Sequence, residues 1–306
     1  MTFSRLMLGT AQFGLHYGIA NTHGMPDDEE IAAILKESYD SGITSIDTSA
    51  DYGSSEERLG VAMKRLGLLG RFQIVTKIPK IPNDASDVRV RLHIEEHLRR
   101  SLDRLKLQQL STVLFHAESD AVHLPLLERM VEKGCVRRVG VSLDSANHPP
   151  EALQAPCVQI PCNILDHRFD SLVDSATADR RVVFARSAYL QGLLLMPEDK
   201  VPPHLAPIME YRQKIISIAD ESAMSVPRLA LGYLFSQTGI TSVVMGMESV
   251  EQLRGNIRIA AAPPLPQDLA ERLKAVAGIL PESLIRPMLW SSEMSDKGQL
   301  PNHSAD

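Results

Sequence analysis

Four residues able to move protons stand at or just past the ends of short apolar runs. Asp47 follows Thr44-Ser45-Ile46, and Tyr52 lies five residues on. Lys77 closes Phe72 to Lys77 (FQIVTK), and His116 follows Ser111 to Phe115 (STVLF). Taken alone each has an ordinary explanation, since an Asp after a strand is a common turn former and a loop Tyr commonly covers apolar surface. Together, a carboxylate, a phenol, an ammonium and an imidazole suit the delivery of a proton to a carbonyl oxygen while something else delivers hydride. Tyr is a weak acid with a free pKa of about 10, and a nearby Lys ammonium would favour phenolate and lower that value. Asp47 would keep Lys77 charged and placed, and His116 would hydrogen-bond the substrate oxygen.

These residues meet only if strands carry them to one place. The chain reads as eight strands: Arg5 to Gly9, Thr44 to Ile46, Phe72 to Lys77, Ser111 to Phe115, Val136 to Ser142, Cys157 to Pro161, Arg181 to Ala185 and Thr241 to Val244. Helical patterns lie between most of them. One opens at Asp27 or Asp28 and runs to Asp40, and another places Leu59, Ala62, Met63 and Leu66 on one face behind a capping box of Ser54 and Glu57. Further patterns are Val88 to Leu105, Leu124 to Glu132, Asp170 to Ala178, Leu205 to Ser222 and Val226 to Gln237, with an appended helix over Asp268 to Ile279. Strands alternating with helices predict an α/β fold, a (β/α)8 TIM barrel over residues 1–290, followed by a polar tail from Ser291 expected to be poorly ordered. A doubly wound open sheet is the alternative, but no GxGxxG follows a strand. Neighbouring strands in a barrel run about 5 Å apart, so Asp47, Lys77 and His116 can converge at one mouth with Tyr52 beyond them.

Composition bounds the rest. The 306 residues are 44% hydrophobic, enough for one large core, and no apolar run approaches the roughly 18 residues of a membrane span. No signal-peptide core follows Met1, so the protein is expected to be soluble and cytoplasmic, as a monomer or weak homo-oligomer. A net charge of −6 without a basic cluster argues against nucleic acid. Cys135, Cys157 and Cys162 form no CxxC pair and read as reduced thiols. His93 and His97 stand at i, i+4, but Ile94 occupies the position where the zinc-protease motif needs Glu; a solvated helix face is expected there, and no metal.

The ordered motif set resembles the aldo-keto reductase family. It comprises Asp47-x4-Tyr52-Gly53, Ser55-Glu56, Leu59-Gly60, Lys77 in VTK, His116 in VLFH and Gly140-Val141-Ser142. Gln159, Ala185-Arg186-Ser187, Gly192-Leu193-Leu194 and Gly246-x5-Gln252-x3-Asn256 complete it, so the likeness runs from about Leu8 to Asn256. The resemblance implies a barrel that binds NADP or NAD without a Rossmann domain and reduces aldehydes or ketones, with Asp47, Tyr52, Lys77 and His116 as catalytic tetrad. By position, Ser142 and Gln159 would hold the nicotinamide carboxamide, Ser187 and Gly192 would line the pyrophosphate path, and Gly246, Gln252 and Asn256 would meet the adenosine half. Gly9, Thr10, Asp47, Arg186 and Glu248 are further cofactor candidates. Gln159 as a satisfied buried amide and Gly246 as a turn are the plainer readings.

Three departures qualify the likeness. Leu143 replaces the Asn that follows the Gly-Val-Ser serine in many relatives, so one carboxamide contact is missing. Arg186 stands where an aromatic often stacks on the nicotinamide; its guanidinium would stack, grip an anionic substrate, or form a salt bridge at the mouth. Glu248 stands where NADP-using relatives carry Arg or Lys, which predicts a weakened NADP preference unless Arg254 compensates. Loops bearing His16, Tyr17, Glu118 and Tyr189 are expected to shape a pocket for a hydroxylated substrate such as a sugar derivative. The competing functions are a dinucleotide-binding sensor or interaction barrel with little turnover, and a barrel lyase or isomerase acting on a phosphorylated sugar.

Overall fold

Eight parallel strands close into a barrel in chain order, β1 to β8, with β8 pairing back onto β1. The structure, a computed structural model, describes residues 2–21 and 23–290, so the expected polar tail lies outside the described residues. The strands are β1 Leu6–Gly9, β2 Ser45–Asp47, β3 Gln73–Ile78, β4 Leu110–Phe115, β5 Val136–Ser142, β6 Cys157–Pro161, β7 Val182–Arg186 and β8 Ser242–Gly246. Helices α1 Asp28–Asp40, α2 Ser55–Arg65, α3 Asp87–Leu105, α4 Leu124–Glu132 and α5 Asp170–Ala176 follow the earlier strands. Behind β7 come α6 Met209–Ser222 and α7 Val226–Ser236, and after β8 come α8 Val250–Ala261, α9 Gln267–Lys274 and the short α10 Glu282–Ile285. No helix among the described residues is long and apolar enough to cross a membrane.

The two-residue period of a strand explains how the site is assembled. Met7, Val75, Leu114, Cys157, Phe184 and Val244 form a small buried cluster inside the barrel, separate from the large cluster packed between strands and helices. Two residues farther along, on the same face, stand Gly9, Lys77, His116, Gln159, Arg186 and Gly246. The apolar layer therefore floors a polar layer at the carboxyl ends, which is the end where barrel enzymes carry their chemistry. Burying a Val, Leu, Phe or Met of that floor contributes about 1.5–3 kcal/mol and fixes the direction of the side chain two positions on.

Several expectations shift. Asp47 is the last residue of β2 rather than the first beyond it, and most other strand ends move by one or two residues. The expected helix over Leu205 to Ser222 splits, because Pro202, Pro203 and Pro207 hold Pro203–Ile208 in a 3-10 helix before α6 begins. α8 lies outside every expected helical pattern, and the appended helix ends at Lys274. The capping box is absent: Ser54 makes no side-chain cap bond to α2, although Asp27 does cap α1 by accepting from the Glu30 N–H at 2.8 Å. His93 and His97 are half-buried rather than solvated. Their rings lie 4.4 Å apart, His93 Nε2 is 3.1 Å from the Pro79 carbonyl, and burial holds the His97 imidazole below its ordinary pKa.

Candidate active site

Asp47 ends β2 with its carboxylate turned inward, and Lys77, two positions past Val75 on β3, reaches it with Nζ. Both side chains are buried, at 4% and 0% exposure. Lys77 Nζ donates to Asp47 Oδ1 and Oδ2 at 2.8 and 2.9 Å, to the Thr48 carbonyl at 2.9 Å and to the Tyr52 hydroxyl at 3.4 Å. Gln159 Nε2, from β6 across the barrel, donates to Asp47 Oδ1 at 2.7 Å. The carboxylate therefore accepts three charge-assisted bonds, and the ammonium has its acceptors, as burial of both requires.

Tyr52 is delivered by a tight loop between β2 and α2. Its N–H donates to the Ser49 carbonyl at 3.1 Å, and its own carbonyl accepts from Ser55 N–H at 3.0 Å. Gly14 and Gly53 let the β1 loop press against this turn. A Cβ on Gly14 would lie 2.0 Å from the Tyr52 carbonyl oxygen, and Gly53 sits at φ +53° against the Gly14 carbonyl. Ser55, expected to matter only as a motif position, ties the two loops: its hydroxyl donates to the Thr10 carbonyl at 2.8 Å and lies 3.1 Å from Thr48 Oγ1.

The direction of the Tyr52 pKa reverses the sequence expectation. Enclosure of the hydroxyl, followed by the Asp47 carboxylate behind Lys77, pushes the phenol well above its ordinary value near 10. The Lys77 charge is already spent on Asp47, so it does little for a phenol 3.4 Å away. Burial in turn pulls the Lys77 ammonium down, against the Asp47 carboxylate. Tyr52 is thus held as a neutral phenol, the form that donates a proton.

His116 stands at the rim, 30% exposed, its ring edge-on to Tyr52 with centroids 5.8 Å apart. Its Nδ1 lies 2.6 Å from Asp51 Oδ2, a partner the sequence reading missed although Asp51 adjoins Tyr52.

Beside this group opens a cavity of ≈ 820 Å³. Its walls include Gly9, Thr10, Asp47, Tyr52, Gln159, Arg186, Ser187, Gly192, Gly246, Glu248, Gln252 and Asn256. Ser142 is buried on β5 in register with Gln159 and does not reach the wall, nor do Lys77 and His116. Tyr17 and Tyr189 line it as expected, whereas His16 does not and Glu118 instead accepts the backbone N–H groups of Asp144 and Ser145. Arg186 donates to Asp144 Oδ1 at 2.8 Å and to the Leu143 carbonyl at 3.1 Å, the salt-bridge reading among the three considered. Asp144 also accepts from Arg286 at 2.5 Å, which fastens the segment after α10 to the mouth. Burial alone would raise the Asp144 pKa, but Arg186 and Arg286 outweigh it and hold the carboxyl below its usual range.

At the far end, Glu248 and Gln252 form a closed pair. Glu248 N–H donates to Gln252 Oε1 at 2.9 Å, and Gln252 Nε2 returns a bond to Glu248 Oε2 at 2.8 Å. Arg254 does not face this pair; it is bound to Glu37 at 2.9 Å. Arg228 and Arg258 line the cavity instead. Gln12, also missed, is 7% exposed and lines the wall, and its Oε1 has no partner among the described residues. It stacks where a Cβ on Gly246 would have been, 2.4 Å from Nε2. A signal was available, because Gln12 falls just past the β1 end.

The aldo/keto reductase family model matches residues 5–277. The chain belongs to the aldo/keto reductase family. Among curated relatives of this aldo/keto reductase, L-galactose dehydrogenase of Arabidopsis thaliana is 24% identical over 295 residues, covering 90% of this chain and 91% of the relative. NADH-specific methylglyoxal reductase of Escherichia coli strain K12 is 25% identical over 298 residues, covering 84% and 90%. An aldo-keto reductase of Bacillus halodurans, solved in its holo form, superposes with a TM-score of 0.73 at 21% identity, covering 91% and 93%. The family is one of oxidoreductases whose members generally use NAD(P)H.

Proposed function

We propose that this aldo/keto reductase reduces a hydroxylated aldehyde or ketone to an alcohol, with Tyr52 as the general acid and a nicotinamide dinucleotide in the ≈ 820 Å³ cavity. The observation that carries it is the meeting of Asp47, Tyr52, Lys77 and His116 beside one wall of that cavity. The cavity suits the dinucleotide on its own terms. It falls within the roughly 300–1,000 Å³ of cofactor sites, and the unpartnered Gln12 Oε1 calls for a donor such as a ribose hydroxyl. Gln159, Ser187, Gly192, Gly246, Gln252 and Asn256 would hold it, with Gly9 and Thr10 beneath.

When bound, the reduced nicotinamide supplies hydride. The chain's own residues do the rest. Tyr52 gives its hydroxyl proton to the carbonyl oxygen, and Lys77 Nζ, 3.4 Å from that hydroxyl, remains a hydrogen-bond donor to the oxygen left behind while its charge is held chiefly by Asp47. Asp47 and Gln159 keep Lys77 fixed so that this charge needs no reorganisation. The upward push keeps the Tyr52 phenol protonated, the form that can donate to a carbonyl oxygen. A hydroxylated substrate fits the polar rim of Tyr17, Asp51, His116 and Arg186, and the names of the relatives, L-galactose and methylglyoxal enzymes, point to small oxygenated carbonyls.

Glu248 supports NADH over NADPH, since its carboxylate would oppose a 2′-phosphate and can accept from a free ribose hydroxyl; the relative named NADH-specific agrees with it. The test is fluorescence titration with NADH and NADPH, followed by kcat/KM on a panel of aldehydes and hydroxyketones. We expect both turnover and a preference for NADH of about tenfold, equivalent to about 1.4 kcal/mol. Absence of dinucleotide binding would defeat the function, and a hundredfold preference for NADPH would defeat the cofactor assignment alone.

A further inference from the structure

His116 is held by a single short turn. Asp51 Oδ2 lies 2.6 Å from its Nδ1, and Ser49 Oγ lies 3.4 Å from the same nitrogen while accepting the Asp51 backbone N–H at 3.1 Å. A carboxylate has only lone pairs to offer, so the proton in the short contact belongs to Nδ1. Ser49 could donate to a bare Nδ1, but that would set a ring lone pair against the carboxylate at 2.6 Å; the shorter contact decides. The tautomer follows. A neutral His116 presents a lone pair at Nε2, and only the imidazolium presents an N–H there. A carbonyl oxygen repels the first and is stabilised by the second as charge develops on it.

We propose that Asp51 is a positioning residue that allows His116 to donate to a carbonyl oxygen only as the imidazolium. The mouth then grips carbonyl substrates where His116 is charged, and accepts an alcohol hydroxyl where it is neutral. The proposal rests on the carbonyl-reduction reading, with Tyr52 remaining the proton donor. The Tyr52 ring stands edge-on to His116 with centroids 5.8 Å apart, and charged groups on the neighbouring elements are engaged with other partners. Lys77 on β3 lies 5.0 Å from the Tyr52 ring centroid and is bound to Asp47; Arg186 on β7 is bound to Asp144; the Glu118 carboxylate caps the Asp144 and Ser145 amides. His97 on α3 feels the Asp51 charge through space.

Two readouts test this. Nitrogen-15 NMR of histidine-labelled protein reports which ring nitrogen is protonated, and the pH profile of kcat/KM for carbonyl reduction is followed from about pH 5 to 9. In the wild type the neutral ring should carry its proton on Nδ1. Between the two ends of that pH range kcat/KM should fall about a hundredfold, to the level at which Tyr52 alone serves the oxygen. Asp51→Asn keeps the shape but lets the amide donate to Nδ1, freeing the neutral ring to protonate Nε2; the decline should shrink below about threefold. A neutral wild-type ring protonated at Nε2, or an unchanged decline in Asp51→Asn, overturns the proposal. Failure of the wild type to reduce any carbonyl at any pH would overturn the proposed function instead, and the ring tautomer would still decide what Asp51 does.

Discussion

Replacing Lys77 with Met removes the only cation bonded to the buried Asp47 carboxylate among the described residues and leaves the Gln159 amide as its remaining side-chain donor. Removing one partner of a buried ion pair costs about 3–5 kcal/mol, because the other charge stays behind without compensation. Unfolding entropy near 2.1 cal/mol/K per residue amounts to about 0.6 kcal/mol/K for the 306 residues, so Lys77→Met should lower Tm by about 5–8 °C. The loss should depend on pH. Without Lys77 a negative charge on the buried Asp47 side chain is uncompensated, so stability falls as pH rises and that charge forms. Calorimetry at about pH 5 and pH 8 should therefore show the larger deficit at the higher pH. The double variant Asp47→Asn/Lys77→Met, which removes both charges, should recover part of it. A Tm change under about 1 °C for Lys77→Met, or a double variant that loses the sum of the single losses, would refute the buried-pair account.

Two further outcomes follow from the same geometry. Asp144→Asn deprives Arg186 and Arg286 of their shared carboxylate and should cost about 2–3 kcal/mol at about pH 7; because the folded Asp144 pKa is depressed, that contribution exists above the ordinary carboxylate value and fades as pH falls through the folded one. The Tm gap to wild type should close below about pH 4, and a gap unchanged at about pH 3 would contradict the assignment. Gln12→Met replaces a buried acceptor that has no partner among the described residues with an apolar group of similar size, so the ligand-free Tm should hold or rise while the dinucleotide Kd rises about fivefold, the worth of one hydrogen bond; isothermal titration reading an unchanged Kd would remove Gln12 from the site.

The barrel was legible because its signals are strong and local. Val136–Ser142 and Cys157–Pro161 are bounded by turn residues and contrast with their flanks, and their limits agree with the reading. α8 escaped because only Leu253 and Asn256 of its twelve residues are buried, too thin a stripe to register as a period. The strand-end chemistry was legible for the same reason as the strands: parity alone places Lys77, Gln159, Arg186 and Gly246 on the inner face. What escaped was the partnering of side chains across the mouth. Asp51 on His116, Asp144 between Arg186 and Arg286, and Glu37 taking Arg254 are pairings that no spacing reveals. The direction of the Tyr52 pKa escaped too, because it depends on enclosure and on Lys77 being committed to Asp47, both properties of the folded site.

The most direct measurement is pre-steady-state and steady-state kinetics of Tyr52→Phe beside dinucleotide titration of the same protein. The variant keeps the ring that faces Lys77 and His116 and loses only the transferable proton. It should bind NADH within about twofold of wild type, since little binding free energy resides in that hydroxyl, while kcat/KM for carbonyl reduction falls by about 10²–10⁴. Wild-type turnover in Tyr52→Phe would show that the proton comes from elsewhere and that this phenol is not the acid of the site.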